Sequence, residues 1–580
     1  MKIALVETKP SRTDFEQHFE LKLDRYCLCS DPSVKKILKK DIDIEINTDE
    51  YDWIILVGAD SFKYFTKNGS ITDYSGKVVN EKFIPIINPA MLDFKPEAKP
   101  LWESSRESLL KYIRGDLKAV NYSEDSGLYW GITDEADALK YLQEAIDHPN
   151  KFVALDSETT GFYPRDGYVL GISLCYRKDY GAYISSECIT EAVEQKAQEL
   201  WYKKKVIFQN AKFDRAMLKY HFGWKFPSYE DTMLLHYLLD ENPGGHGLKE
   251  LALKYTKYGD YEKPLYEFIE NYRKTHGVLK DQFTFDLIPF NIIVPYAAID
   301  SIVTFLIYIK LKPAVEKNKQ LLNVYDKLLI PGSTFLEDVQ DNGVPFDLER
   351  LKKAQKMMDT DIQKSIEELY KNPKIKEFEE FQGKEFNPNS TQQLRKLLFD
   401  FLGLKPVESK RTTTGAYSTD AEVLELLSEQ SPVPSLILNI RKKSKIKNTY
   451  LDKIIPQLDK DYRLRTSFNL HSTTSGRLSS SGKLNMQQLP RDNPLVKGCI
   501  RAKPGYKIVS GDLSTAEVNV AAVLSGDKNL MGVFIAKGDF HSTIAKLVFN
   551  LDCAVEDVKE LYPLLRQAAK AIDLVAYKSL

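Results

Sequence analysis

Six cysteines in 580 residues, at positions 27, 29, 175, 188, 499 and 553, leave no CxxC spacing and no disulfide framework. Their scarcity excludes a zinc ribbon and a small disulfide-stapled fold, and fits a reduced, cytoplasmic setting. No apolar run approaches a membrane span, and MKIALVETK is too short and too soon charged for a secretory signal, so no membrane partner is expected. Internal repeats and long low-complexity linkers are also missing. Net charge is almost absent: 81 Lys and Arg stand against 82 Asp and Glu, a formal −1. Taken alone, that balance argues against a nucleic-acid partner. What is present is ordinary globular composition, 43% apolar, 28% charged and 11% aromatic. The chain is too long for one hydrophobic core, so two to four domains are expected.

The balance of charge conceals an asymmetry. Val433 to Gly511 carries 16 Lys/Arg against 4 Asp/Glu, a local +12 that leaves −13 for the rest. It includes RKKSKIK at 441–447 and is interleaved with Ser, Thr, Asn and Gln. A surplus sustained over some 80 residues suits a polyanion better than a merely solvated helix face.

Hydrophobic patterning divides the chain into three expected domains, 1–125, 126–316 and 317–580. In the first, KIALVE and WIILVGA read as buried strands, DSFKYF starts a helix, and IPIINPAMLDFKPEAKPLWESSRESLLKYI reads as strand, turn and amphipathic helix. This small α/β unit resembles the closing part of the uracil-DNA glycosylase fold, with Asn88 where that family has histidine, so glycosylase chemistry is not expected of it. The second unit begins near Ser126. Strands at KFVALDSET, YVLGISLCY and KVIFQN, with helices between and after, predict an α/β domain with a mixed sheet. From about Lys317 the pattern is mostly helical, with strand signals returning at YRLRTSFNLHST and at YKIVSGDLS, the latter a buried strand ending in Asp512.

The middle domain holds a set of acids. Asp156 and Glu158 lie two apart at the end of an apolar strand and so face the same way. FQNAKFDRAML places Asp214 near a helix start directly after a buried strand, and YAAID places Tyr296 and Asp300 four apart on one helical face. Four carboxylates can hold two hard divalent cations such as Mg²⁺ or Mn²⁺. The order DSET, NAKFD, YAAID resembles the four-carboxylate, tyrosine-containing 3′–5′ proofreading exonucleases, which have a ribonuclease H-like fold. The resemblance implies metal ligation by Asp156, Glu158, Asp214 and Asp300, a Tyr296 that positions the attacking water, and an Asn210 near the substrate strand.

A second set follows. TTSGRLSSSGKLNMQQLPRD, YKIVSGDLSTAE and KGDFHSTIAKLVFN resemble successive motifs of family A DNA polymerases. By that resemblance Asp512 and the carbonyl of Leu513 are metal ligands, with two ions per active site, and Glu517, His541, Arg566 and Lys570 bind nucleotide. Arg477 and Gln487 fall where the family contacts the primer–template, and Lys445 and Lys447 lie in a thumb-like basic stretch. Leu513 and Asn519 depart from the aromatic and arginine usual there.

The likeness runs from Leu128 to Ile572, and with the front end suggests a phage-type member acting in the cytoplasm of a bacterial host. After RQAAKAI, the residues DLVAYKSL no longer follow the fingers helix: Leu574 stands for an aromatic and Val575 for a glycine. The resemblance therefore implies the N-terminal portion of a polymerase: an α/β N-terminal domain, the exonuclease, and a right-hand thumb with part of the palm. Its expected partners are primer–template DNA, single-stranded 3′ ends, dNTPs if the site is completed, and a separate C-terminal polypeptide. A stand-alone exonuclease with a DNA-holding polymerase remnant, or a non-catalytic DNA-binding replisome component, are the alternatives.

Overall fold

The computed structural model describes all residues except 35–36, 68–69, 118–128, 243, 408, 413–414, 483, 491–492, 514, 537 and 579–580, and the side chains of 571–578. The expected boundary at 125/126, Ser126 and Leu128 lie outside the described residues. The chain forms two compact units, Met1–Ile500 and Arg501–Leu580.

In the first unit, three short apolar runs become strands buried on both faces, as parallel sheets require, and a more polar strand, DRYC, adds at the edge. β1 (Ile3–Glu7), β2 (Asp24–Cys27), β3 (Trp53–Val57) and β4 (Phe83–Ile86) form a parallel sheet in the order β2-β1-β3-β4. Alternation divides their side chains between two cores. Leu5, Ile55 and Ile84 pack with Leu109 and Ile113 of one helix, whereas Val6, Ile54 and Leu56 pack with Phe62 of another. Those helices are α1 (Ala59–Thr66) and α2 (Lys99–Arg114).

A mixed six-stranded sheet follows, built from β5 (Tyr129–Ile132), β6 (Phe152–Thr159), β7 (Val169–Arg177), β8 (Tyr180–Ser185), β9 (Lys205–Phe208) and β10 (Tyr229–Asp231). Its order is β10-β9-β6-β7-β8-β5; β7 runs antiparallel to both β6 and β8. On one face lie α3 (Glu135–Asp147), α4 (Glu191–Lys203) and α5 (Ala211–Phe222), sharing a core with Val153 and Leu155. On the other lie α6 (Thr232–Leu239), α7 (Leu248–Tyr255) and α8 (Phe290–Glu316), sharing a core with Ala154 and Ile207. The central strand is thus sandwiched, and its odd and even residues address different helix layers.

α8 corrects one expectation. It is 27 residues long, with a window of mean hydropathy 2.0, so by length and composition it could cross a membrane. That window is 83% buried inside the molecule, which makes α8 the core helix of the sheet. Its close seating needs glycine opposite: a Cβ on Gly181 would come within 2.7 Å of the Ala298 carbonyl oxygen.

Beyond α8 the first unit is mostly helical, as expected. α9 (Ile330–Asn342), α10 (Leu348–Tyr370) and α11 (Pro432–Ile446) are followed in the chain by an antiparallel hairpin, β11 (Ser467–Asn469) with β12 (Ser479–Ser481).

The second unit contains α12 (Ala516–Ser525), α13 (Lys528–Ile535), α14 (Phe540–Phe549) and α15 (Pro563–Lys578), with a small core at Ala545, Val558 and Ala569. Here the expected buried strand at YKIVSGDLS is absent. Residues 506–513 are irregular, and Tyr506, Ile508, Val509 and Leu513 are exposed. The physical reason is that a strand is held by hydrogen bonds to neighbouring strands, and among the described residues of this unit there are none.

Candidate active site

The period of two along β6 sets the first part of the site. Ala154, Asp156 and Glu158 share the face turned to α8, and α8 presents Asp300 to them. Single carboxylate oxygens of Asp156, Glu158 and Asp300 all lie within 4.8 Å of one another. Glu158 and Asp300 are buried and Asp156 partly so. The Glu158 Oε1 atom is buried with no hydrogen-bond partner. A buried carboxyl oxygen without a partner is costly, and a metal cation held among the three acids would give Glu158 the partner it lacks. The donor set, all hard oxygen, fits Mg²⁺ or Mn²⁺.

Asp214 comes from the opposite layer. It lies in the first turn of α5, and its Oδ1 accepts bonds from the Ser157 N–H at 3.0 Å and the Ser157 hydroxyl at 2.6 Å. Ser157, between the two acids of β6, therefore ties the fourth acid to the strand. Its helix is fixed in turn from outside, by Arg215 to Glu337 at 3.3 Å and Lys219 to Asp338 at 3.2 Å, both acids on α9. Asn210 precedes α5 in a left-handed conformation, φ +64°, held by the Asp231 carboxylate, which accepts from the N–H groups of Asn210 and Ala211.

The electrostatics are those of crowded anions in a dry site. Burial raises Asp156 far above the usual carboxylate range, and Asp214, Asp300 and Glu158 add to it. Burial, then the charge of Asp300, pushes Glu158 up to about 8 against the opposing pull of Lys249. Burial also pushes Asp214 up to about 7, against its bonds from Ser157. Tyr296 is part-buried beside the trio; burial and the charges of Asp300, Glu158 and Asp156 keep its hydroxyl protonated.

Two residues of the site escape sequence reasoning. Lys249, in the first turn of α7, and Tyr261, in the segment after it, both donate to Asp300 Oδ1. The lysine also donates to the Tyr261 hydroxyl at 2.9 Å, and its ammonium lies 4.5 Å from the Tyr261 ring centroid and 4.4 Å from that of Tyr296. Nothing in GLKELALKY singles Lys249 out, since Glu250 and Lys254 of the same short helix are charged as well.

The other expected site residues are more dispersed. In the first unit, Arg477 and Gln487 are exposed on neighbouring segments, and the Gln487 amide donates to the Leu478 carbonyl at 3.3 Å. Lys445 is exposed, while Lys447 pairs with Asp452 at 2.9 Å and Asp359 at 3.3 Å. In the second unit, Asp512 and Leu513 lie in the exposed irregular stretch and Glu517 is exposed on α12. His541 is part-buried on α14. Arg566, on α15, is engaged by the Asp539 carboxylate at 2.7 and 3.0 Å, and Lys570 is one turn further on. Among the described residues, no acidic cluster forms around Asp512.

Comparison with known proteins follows this geometry. The family described as 3′–5′ exonuclease matches residues 129–316, which contain the whole acid set, and the family described as DNA polymerase family A matches 352–576. The DNA polymerase of Escherichia phage T5 is 45% identical over 99% of this chain and 70% of its own length. The chain belongs to DNA polymerase family A. DNA polymerase I of Treponema pallidum is 27% identical over 86% of the chain, and that of Chloroflexus aurantiacus 30% identical over 76%. The chain spans 52% and 46% of these two, about half the length of the bacterial relatives. Among solved structures, the POL domain of Pol1 from M. smegmatis, in complex with DNA primer-template and dNTP, matches with a TM-score of 0.59. It is 23% identical, covering 77% of this chain and 70% of that one, a likeness of fold. This polymerase thus carries a 3′–5′ exonuclease domain whose acids sit on regular elements of one sheet and its two helix layers.

Proposed function

We propose that this chain removes nucleotides from DNA 3′ ends by metal-assisted phosphodiester hydrolysis, as the proofreading part of a replicative family A polymerase. The observation that carries the reading is the meeting of Asp156, Glu158 and Asp300 within 4.8 Å on buried elements, with Glu158 Oε1 unpartnered. Asp156, Glu158, Asp214 and Asp300 would hold the cations, two Mg²⁺ or Mn²⁺ in this proposal. Bound there, such ions activate a water and steady the leaving oxygen. Tyr296 orders that water through its protonated hydroxyl, and Asn210 lies at the strand being shortened. The domains of this reading are 1–125, 126–316 and 317–580.

For the polymerase half, the proposal assigns primer–template contact to Lys445, Lys447, Arg477 and Gln487, within the basic segment 433–511. Asp512 and the Leu513 carbonyl would ligate metal, and Glu517, His541, Arg566 and Lys570 would face the incoming dNTP. The neighbour bound to primer-template and dNTP supports this assignment, and the phage T5 relative supports action in a host cytoplasm. A nuclease-only reading is favoured by one observation, the exposed irregular setting of Asp512.

The test uses a 5′-labelled single-stranded oligonucleotide with Mg²⁺, and a primer–template with dNTPs. Stepwise shortening from the 3′ end is expected, falling about 10²- to 10³-fold in Asp156→Ala. Equal hydrolysis in Asp156→Ala would sink the nuclease assignment, and extension of the primer would decide against the nuclease-only reading.

A further inference from the structure

The α/β unit that opens the chain has no part in the chemistry derived so far, yet it contacts a segment that leads into the nuclease centre. We propose that it is a positioning clamp: it grips Leu253–Glu262, and the longer stretch 249–262 to which that grip belongs, through Lys249 at its start and Tyr261 near its end, orients the Asp300 carboxylate. The inference rests on the nuclease reading above.

On the inner side of the segment, Lys249 and Tyr261 converge on the same oxygen, Asp300 Oδ1, and are bonded to one another at 2.9 Å. A carboxylate that must ligate a cation is oriented by such donors, and donors of this kind are worth about 10- to 100-fold in metal affinity. Tyr261 is buried in the core of its own domain, but the backbone on either side of it, between the end of α7 at Tyr255 and the next helix at Lys263, belongs to neither helix. Contacts from outside that loop add to its hold.

On the outer side, the opening unit supplies what the segment lacks. At the C-terminus of α7, Lys111 of α2 donates to the carbonyls of Leu253 at 3.2 Å and Lys254 at 2.7 Å, and Leu253 packs against the core beneath α2. Next along α2, the Tyr112 hydroxyl accepts the N–H of Asp260 at 2.9 Å. Lys77 lies 3.7 Å from the Asp260 carboxylate and 3.6 Å from that of Glu262. Asp260 and Glu262 are the two neighbours of Tyr261, so the clamp grips the chain on both sides of the residue that holds Asp300. These contacts are largely withdrawn from water, with the Glu262 and Asp260 side chains only 9% and 13% exposed. Buried polar contacts of this sort hold geometry in a way that screened surface pairs do not. Lys77, Lys111 and Tyr112 act through Tyr261, and are positioning residues.

The full chain is the material for the test, with Lys77→Met/Tyr112→Phe as the clamp variant, Lys111→Met as a milder one, and Tyr261→Phe at the centre. Free Mn²⁺ measured by its electron paramagnetic resonance gives metal affinity without turnover. Nuclease kcat and KM, and affinity for a single-stranded oligonucleotide, are read beside it, well below the melting temperature of each variant. Tyr261→Phe should weaken Mn²⁺ binding about 10- to 100-fold. The clamp variants should weaken it about 3- to 30-fold and lower kcat at limiting metal, with KM for DNA unmoved and kcat restored by saturating Mn²⁺. A misfolded centre would not be rescued by metal. If both clamp variants bind Mn²⁺ and cut as the parent does while Asp156→Ala is inactive, the clamp is refuted and the nuclease reading stands. If Asp156→Ala cuts like the parent, the nuclease reading itself has failed.

Discussion

Asp156 and Asp512 each close an apolar run that reads as a buried strand, FVALD in one case and YKIVSGD in the other. In the first, β7 and β9 bond to the strand on either side, α5 and α8 cover its two faces, and its acids are locked in a desolvated cluster. In the second, the run lies open to solvent, with Val509 92% and Leu513 81% exposed. A β pattern is a capacity for pairing, and a site built on it exists only where neighbours take up its hydrogen bonds. The contrast teaches why two equally readable motifs differ in what they can do chemically: preorganised carboxylates need a scaffold that does not yield.

Hydrogen exchange gives the largest way to break this comparison. Amides of Leu155 and Asp156 should be protected about four orders of magnitude more than those of residues 507–513, which should exchange at nearly the rate of an unstructured peptide. Protection of 507–513 comparable to β6 would show that the run finds partner strands in solution.

How much of this was legible beforehand depends on how local each determinant is. Asp156 and Glu158 could be placed on one face because alternation is a property of the strand alone, and Tyr296 and Asp300 because i, i+4 spacing is a property of the helix. Lys249 and Tyr261 could not, since one opens a helix and the other lies past its end, and only the fold brings both to Asp300. α8 is hard to read because Asp300, Lys310 and Lys312 interrupt its apolar run, although an 18-residue window that includes Asp300 is still apolar enough by composition to span a bilayer. Residues 506–513 differ from their pattern for the opposite reason: the local alternation suits a strand, and the missing ingredient is non-local.

The dry character of the nuclease region, against the wet stretch around Asp512, can be sharpened with acid. His236 on α6 bonds to His246 through their Nδ1 atoms at 2.8 Å, and His246 lies ring to ring with His471, 6.1 Å away, in the segment after β11. Burial, with the nearby charges of Lys254 and His246, holds His236 down to about 4; burial, with His246 and Lys212, holds His471 down to about 4. Because these folded pKa values lie below the unfolded value, the unfolded chain binds more protons as pH falls below about 6.5. Stability is therefore full above that pH and lost progressively toward pH 4. Chemical denaturation at pH 7, 5.5 and 4.5 should show this slope in the parent and a shallower one in His471→Phe. Equal slopes in both would remove the cluster from the account.

The smallest contrast repeats the same logic between two lysines a helical half-turn apart. Lys445 is exposed at the end of α11, whereas Lys447 is already engaged by Asp359 and Asp452. A free ammonium that meets a phosphate releases a counterion and adds to the salt dependence of binding; an ammonium in two ion pairs must give them up first. Lys445→Ala should therefore reduce the slope of log K against log salt by about 1 for a primer–template, and Lys447→Ala by less. Fluorescence anisotropy between 50 and 200 mM salt resolves a difference of about that size. Equal losses would mean that Lys447 leaves its acids on meeting DNA, and that on this surface, unlike in the nuclease centre, the pairing seen in the free chain does not decide what a residue binds.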